Sequence, residues 1–454
     1  MNNQPLQQRS VPIFFICNDP LWAIGLEKTL PNYHIICIDD KEIVDLLQNN
    51  GVNVFCLERE LNNKNVVIRN TAKLLQHPLV ETYIQQQAKG NQPHILPFRP
   101  SASLQKFCEN KHWKLLAADF ELNLLFEDKL SFSAFLEKND LPATPHFIEP
   151  LIATTYEKAV KIFNTPFIIQ LPHGFAGSST FLVNNQAEFD HILKENENKK
   201  AKISQFIEGI PFTINACSTE HGTIYAPLCH QITGYLDYTT SWGGTCGTTW
   251  QFSELPRTIS ETIYKHTETI GNLMYKQGFK GIFGLDFVVN IEKETVYIIE
   301  CNARIVASIP LFTEMQLIAD NTPLLHYHIL EHANEHYDLN PTTYNEKEKT
   351  TPYTTSQLIL RNTTGKPQPI TNPQTTGLYH FNNEKLSFLH PAYQLSTCKT
   401  PEDILIIPTG NNQLVNPAIE YARLRTTHPF LDTQWKLTPN IHHIAKSLKQ
   451  TLIP

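Results

Sequence analysis

Residues Gly281 to Arg304 read GIFGLDFVVNIEKETVYIIECNAR, two apolar β-runs on either side of the polar turn Ile291 to Thr295. Runs of this kind joined by a short polar turn predict a β-hairpin. Asp286 and Glu300 lie about equally far from the turn, so a hairpin sets them opposite each other. Glu300 and Asn302 are two residues apart and share one face of their strand, because successive side chains alternate. Three side-chain oxygen ligands would then converge on one face. Hard oxygen donors suit Mg²⁺ or Mn²⁺, which take a few carboxylates together with water and phosphate oxygens. Arg304, two positions on, projects to the same side, where a guanidinium can neutralise a phosphate or an oxyanion. Taken alone, the hairpin leaves a plainer alternative open: a half-buried ribbon whose acids only reach solvent.

Working outward, FIIQLPHGFAGSSTFLV (167–183) predicts two strands around a glycine-bearing loop, and ISQFIEG with PFTINACS (203–218) continues the sheet. A helix is expected from Ile259 to Gln277, closed by Gly278. Leu122, Leu125, Phe126, Leu130, Phe132 and Phe135 recur at helical spacing until Leu141-Pro142-Ala143-Thr144-Pro145 stops them. Before that, VPIFFIC, HIICID, VNVFCL and WKLLAAD alternate with the helical patterns LWAIGLEKTL and EIVDLLQNN, which predicts a parallel α/β layer with right-handed crossovers. No G-x-G-x-x-G occurs there, so dinucleotide binding has no support. After a polar tract from about Asp338 to Ser356 comes a last module. It carries a hairpin at GLYHFNNEKLSFLH (377–390), a strand at DILIIP (403–408), and helical patterns at Pro417 to Arg425 and near the end. The fold class expected is therefore multidomain, α/β followed by α+β.

The 454 residues exceed one ordinary core. With 41% hydrophobic and 18% charged residues, and apolar runs from Val11 to Leu452, no long stretch reads as disordered. A net charge of -7 without a basic stripe argues against nucleic acid or an anionic membrane as main partner. The nine cysteines are scattered with no C-x-x-C pair, the pattern of a reduced, cytoplasmic protein. The first apolar run, Val11 to Cys17, is short for a signal-peptide core, and nothing approaches the ~20 apolar residues of a membrane helix.

Asp128-Lys129 at a helix start, the looped hairpin Pro166 to Val183, the strand Ile203 to Gly209, G-L-D-F and I-E-C-N-A-R occur in the order expected of the ATP-grasp superfamily. From about residue 11 to 335 the chain resembles its biotin-carboxylase-like and carboxylate-amine ligase branches. The resemblance implies a pre-ATP-grasp domain over 1–125 and an ATP-grasp domain over 126–337, with its small lobe at about 145–208 and a nucleotide between two α+β lobes. A linker at 338–356 and a β-rich module at 357–454 would follow. It further implies ATP with Mg²⁺ or Mn²⁺ as cofactors, the metals held by Asp286, Glu300 and Asn302, and Arg304 at the acyl-transfer centre. Lys129 matches the first phosphate-binding lysine. The loop holding His173, Gly174, Gly177, Ser178 and Ser179 matches the flap over the phosphates, and its glycines let backbone N–H groups approach closely. Gln205, Phe206 and Ile207 match the segment that meets the adenine edge.

Two departures stand out. Gln170 occupies the place of the family's second phosphate-binding lysine. A lysine ~4 Å from a phosphate is worth about 4 kcal/mol at an effective dielectric of about 20, so its loss should weaken binding unless His173 or another group compensates. Pro211 lies near the usual place of a ribose-binding acid. His230-Gln231 resembles the dipeptide before the bicarbonate-handling lysine of biotin carboxylases, but Ile232 follows, and no A-M-K-M biotin-attachment site exists in the chain.

Between these elements TTSWGGTCGTTW (239–250) offers hydroxyls, mobility and an aromatic wall, so His230, Trp242, Gly243, Gly244 and Thr245 are expected to meet a second substrate. Cys246 reads as a structural thiol. His332-Ala333-Asn334-Glu335-His336 fits H-x-x-E-H, but as the end of a helix its histidines read as dipole partners and not zinc ligands. Lys199-Lys200-Ala201-Lys202 reads as a solvated loop.

The leading functional expectation is an ATP-dependent ligase that activates a small-molecule carboxylate as an acyl phosphate and passes it to an amine, with a thiol as the other acceptor, acting on amino acids or small peptides. A biotin-carboxylase-like carboxylating subunit and a nucleotide-binding regulator are the alternatives, and assembly, a homodimer included, stays open.

Overall fold

The computed structural model describes residues 11–452 apart from 64–65, 67, 69, 173, 175–178, 253–254, 373, 383–384 and 410–413. Near the N-terminus the strands β1 (Ile13–Ile16), β2 (Tyr33–Cys37), β3 (Asn53–Cys56), β4 (His94–Pro97) and β5 (Lys114–Leu115) form a parallel sheet in the order β3-β2-β1-β4-β5. β1 and β2 are buried on both faces, which is why they read as unbroken apolar runs. The expected helix at LWAIGLEKTL is absent. Only a 3₁₀ turn forms, at Pro20–Trp22. Leu21, Ala23, Ile24, Leu26 and Leu30 are buried there as an irregular segment. Gly25 breaks the helix at φ +118°, packed so closely that a Cβ would stand 2.9 Å from Thr313 Cγ2.

Two helices, α1 (Phe120–Glu127) and α2 (Lys129–Lys138), share the apolar pattern read as one run, and Asp128 divides them. Its side chain caps α2, accepting from Ser131 N at 2.7 Å. A small antiparallel sheet follows, in the order β6-β9-β7-β8: β6 (His146–Pro150), β7 (Phe167–Gln170), β8 (Thr180–Val183) and β9 (Lys200–Gln205). Its core, Phe167, Ile169, Ala201 and Ile203, packs against Phe163, Phe189 and Ile192 of two helices. Its other face is turned to α2.

That larger sheet has eleven strands among the described residues. β10 (Ile210–Thr219) lies between β12 (Cys229–Thr233) and β14 (Gly281–Asn290), and β11 (Gly222–Tyr225) also pairs with it. β15 (Thr295–Asn302) forms the edge beside β14, and β13 (Thr245–Thr249) pairs β12. The helix α3 (Arg257–Lys276) packs on β10 and β11 through Ile259, Ile263, Ile270 and Met274. A further helix, α4 (Leu324–Ala333), ties the two sheets together: Ile282 N donates to His328 Nδ1 and His328 Nε2 to Leu116 O, both at 3.0 Å.

The tract read as a linker contains α5 (Pro341–Thr350), whose Asn345 and Glu348 are buried. The sheet then runs on without a break, since β16 (Ser356–Arg361) pairs with β13. Beyond it lie β22 (Glu420–Thr426), β20 (Asp403–Pro408), β18 (Gly377–Asn382) and β19 (Lys385–Pro391), while β17 (Gln368–Pro369) and β21 (Leu414–Val415) pair separately. The helical pattern expected at 417–425 is corrected by β22. That strand is central and buried on both faces, so it lacks the alternation that marks a half-exposed strand.

Candidate functional site

The β14/β15 hairpin pairs Asp286 with Glu300 and Gly284 with Asn302. Asn302 Nδ2 donates to Asp286 Oδ2 at 3.3 Å, so the two side chains meet on one face. Gln231 Nε2 donates to Asp286 Oδ1 at 2.7 Å from β12. Glu300 Oε2 is 3.0 Å from the Lys129 ammonium, which α2 delivers from its first residue. Burial, and then the facing Glu300 carboxylate, pushes Asp286 up to about 7. Two facing carboxylates, one already neutralised by a lysine, form a donor set that a small divalent cation would relieve. No group of three or more His, Cys, Asp or Glu suited to a metal occurs among the described residues, so a third protein oxygen would come from the Asn302 amide.

Arg304 is aimed by α1. Asn123 Nδ2 donates to Ala303 O at 2.8 Å, and Glu127, one turn further along the same helix, pairs with Arg304 Nε at 2.8 Å. The guanidinium also donates to Asn302 Oδ1 at 3.1 Å, which sets a fixed cation beside the carboxylate pair.

The start of α2 abuts the loop after β7, where Lys129 N donates to Pro172 O at 3.2 Å. His173, Gly177 and Ser178 lie outside the described residues. At the loop's described ends, a Cβ on Gly174 would fall 2.0 Å from Ser179 Oγ, and Leu171 N donates to Ser179 O. Gln170 is buried and donates to Thr180 Oγ1 at 3.3 Å. Gln205 ends β9, and Phe206 meets Trp242 edge-on at 5.6 Å with Ile207 beside it half-buried. Trp242 is 47% exposed, so this contact joins the end of β9 to the exposed loop between β12 and β13. Gly244 is folded tightly against Thr239 and Ser241, Gly243 is open, and Thr245 starts β13.

Residues 126–308 match the family described as the ATP-grasp domain. This chain carries an ATP-grasp domain. It is 22% identical over 265 residues, 55% of its length, to a [Butirosin acyl-carrier protein]--L-glutamate ligase of Niallia circulans, and spans 57% of that protein. Among solved structures, the biotin carboxylase domain of the Hydrogenobacter thermophilus 2-oxoglutarate carboxylase has a TM-score of 0.59 at 12% identity, covering 91% of this chain and 85% of that one. An N5-carboxyaminoimidazole synthase from Aspergillus clavatus has a TM-score of 0.58 at 10% identity, covering 97% and 99%. The first was solved with MgADP and bicarbonate and the second with ADP. At such identity the likeness is one of fold.

Three expectations need correction. His230 does not face the carboxylates. It packs edge-on against Phe212 at 5.6 Å and beside Trp435 at 5.5 Å, and burial lowers it to about 4. Strand alternation gives the site face to its neighbour Gln231, which sequence reasoning passed over. The lysine run is not a solvated loop: Lys200 to Lys202 begin β9, and Lys202 is 1% exposed. Burial, then the Lys129 ammonium, lowers Lys202 to about 8 while Glu300 acts in the opposite sense. Finally, α4 ends at Ala333 with Asn334 left-handed, so His332 and His336 do not share a helix face. His328 and His332 meet edge-on at 4.6 Å and burial lowers both, so they are neutral core groups and not cationic dipole partners. The signal that could have flagged Lys202 is local. A lysine alternating with Ala201 and Ile203 on a short strand must face a different environment from theirs.

Proposed function

We propose that this chain is an ATP- and Mg²⁺-dependent ligase that activates a carboxylate as an acyl phosphate and passes the acyl group to an amine. The observation that carries the reading is the convergence of Asp286, Glu300 and Asn302 beneath Lys129, with Arg304 held alongside. Asp286, Glu300 and Asn302 would hold Mg²⁺, which when bound neutralises phosphate charge. Lys129 holds the nucleotide's phosphates from the start of α2. A carboxylate oxygen of the substrate attacks the γ-phosphorus and ADP leaves. Arg304 steadies the acyl phosphate and the oxyanion that forms when the amine nitrogen attacks its carbonyl carbon. The carbon–oxygen bond to phosphate then breaks, inorganic phosphate departs, and the amine gives up a proton to phosphate or water. Water must be kept from the acyl phosphate, which it would otherwise hydrolyse. The relative's name couples L-glutamate with an acyl-carrier protein, so an amino-acid carboxylate is the first acid to try and a carrier-bound acceptor the alternative to a free amine. Division at about 126 and 338, a homodimeric assembly and a cytoplasmic setting belong to the same reading.

The test is ADP release from ATP·Mg²⁺ against amino acids, small peptides, polyamines and bicarbonate, with Glu300→Gln as the blank. Turnover that needs both an organic acid and an amine supports the ligase. Turnover driven by bicarbonate alone would replace it with carboxylation. Nucleotide binding without ADP production under every combination would leave a regulator.

A further inference from the structure

We propose that Lys202 is a phosphate-binding residue, carrying from β9 the positive charge that Gln170 does not supply from β7. The proposal rests on the nucleotide of the ligase reading and names a group that grips it. Gln170 and Lys202 face each other directly across the antiparallel β7/β9 pair. Side chains opposite each other in such a pair project from the same face of the sheet. Phe167 and Ile169 of β7, and Ala201 and Ile203 of β9, fill the small sheet's core, so Gln170 and Lys202 both belong to the opposite face. That face is the one turned to α2, which packs on β9 and carries Lys129 as its first residue.

The Lys202 side chain is almost wholly buried, and the two carboxylates that act on its ammonium, Glu300 and Glu137, form their ion pairs with Lys129 and His146 instead. The Glu300 carboxylate is already held by Lys129 at 3.0 Å. A buried ammonium without an anion is costly, and two ammonium groups sharing one cluster add to the cost. A polyanion that bridges Lys129 and Lys202 relieves both at once, which favours a phosphate chain over a single carboxylate. Gln170, engaged with Thr180, leaves that position neutral. The charge has moved by one cross-strand neighbour, a shift that the flexible lysine stem absorbs.

The experiment is calorimetric titration of the full chain with ADP plus Mg²⁺, and separately with adenosine, for the native protein, Lys202→Gln, and the exchange Lys202→Gln/Gln170→Lys. A charged hydrogen bond corresponds to roughly 10- to 100-fold in affinity, so Lys202→Gln should weaken ADP by about that factor while adenosine is unchanged. The exchange variant should recover most of the loss, which a merely structural lysine would not allow. ADP affinity unchanged in Lys202→Gln overturns the proposal. So does an equal loss for adenosine with a lowered thermal midpoint, or an effect confined to the KM of the acid, which would assign Lys202 to a substrate carboxylate. Failure of the native protein to bind ADP would sink the ligase reading itself, and this proposal with it.

Discussion

Lys129→Met separates the two jobs given to the first residue of α2. The Lys129 side chain is 5% exposed and its ammonium is 3.0 Å from an oxygen of Glu300, whose side chain is 26% exposed. At that distance and an effective dielectric of about 20 the attraction is about 5 kcal/mol before desolvation is counted. Cutting one partner of a buried pair costs about 3–5 kcal/mol, and the partly open Glu300 moderates that to about 2–3 kcal/mol here. In a chain of this size the thermal midpoint of the metal-free protein should fall by roughly 2–3 °C. The variant also leaves Glu300 without its ion-pair partner opposite Asp286, so Mg²⁺ substitutes for the lost ammonium. Mg²⁺ should therefore raise the midpoint of Lys129→Met more than that of the native protein, while ADP affinity moves the other way and weakens. Scanning fluorimetry in EDTA and in excess Mg²⁺, with calorimetric ADP titration, measures all three. Equal Mg²⁺ shifts in both proteins would refute the shared carboxylate–lysine site, even if the variant were less stable.

Burial lowers His328 from its ordinary 6.5 to about 4, so its neutral form belongs to the folded state. That contribution is complete above pH 6.5 and is lost as the pH falls toward 4, about 3 kcal/mol in all. The native midpoint should drop between pH 6.5 and 5, and His328→Gln, which cannot titrate, should start lower at pH 7.5 and slope less. Arg304→Lys loses the fork that spans Glu127 and Asn302, and kcat/KM for ADP release should fall about 100-fold, close to 2.7 kcal/mol of transition-state binding, with ADP affinity nearly unchanged. A matching loss of ADP affinity would move Arg304 from the transfer step to nucleotide binding. Trp242→Ala removes the exposed ring against Phe206 and should raise the KM of the acceptor without changing that of ATP. An unchanged acceptor KM would take the 239–250 loop out of substrate recognition.

Period-two alternation was enough to place Glu300 and Asn302 on one face, and distance from a short turn was enough to set Asp286 across from them, because a hairpin's register is a local property. The helix start at Asp128-Lys129 was equally local, since an N-cap is made by residues three apart. What no local pattern could supply is which face of a strand meets which neighbour. His230 and Gln231 are adjacent and both polar, and only the packing of Phe212 and Trp435 turns the first inward and leaves the second to bind Asp286. Lys202 sits in a run that looks solvated, and the pairing with β7 and the cover of α2 bury it. Glu127, the partner that aims Arg304, is distant in sequence and carries no motif. Secondary structure and single-strand faces arise from nearest-neighbour geometry and are written in the chain. The charges that surround a site come from elements brought together by the whole core, and they exist only once it has formed.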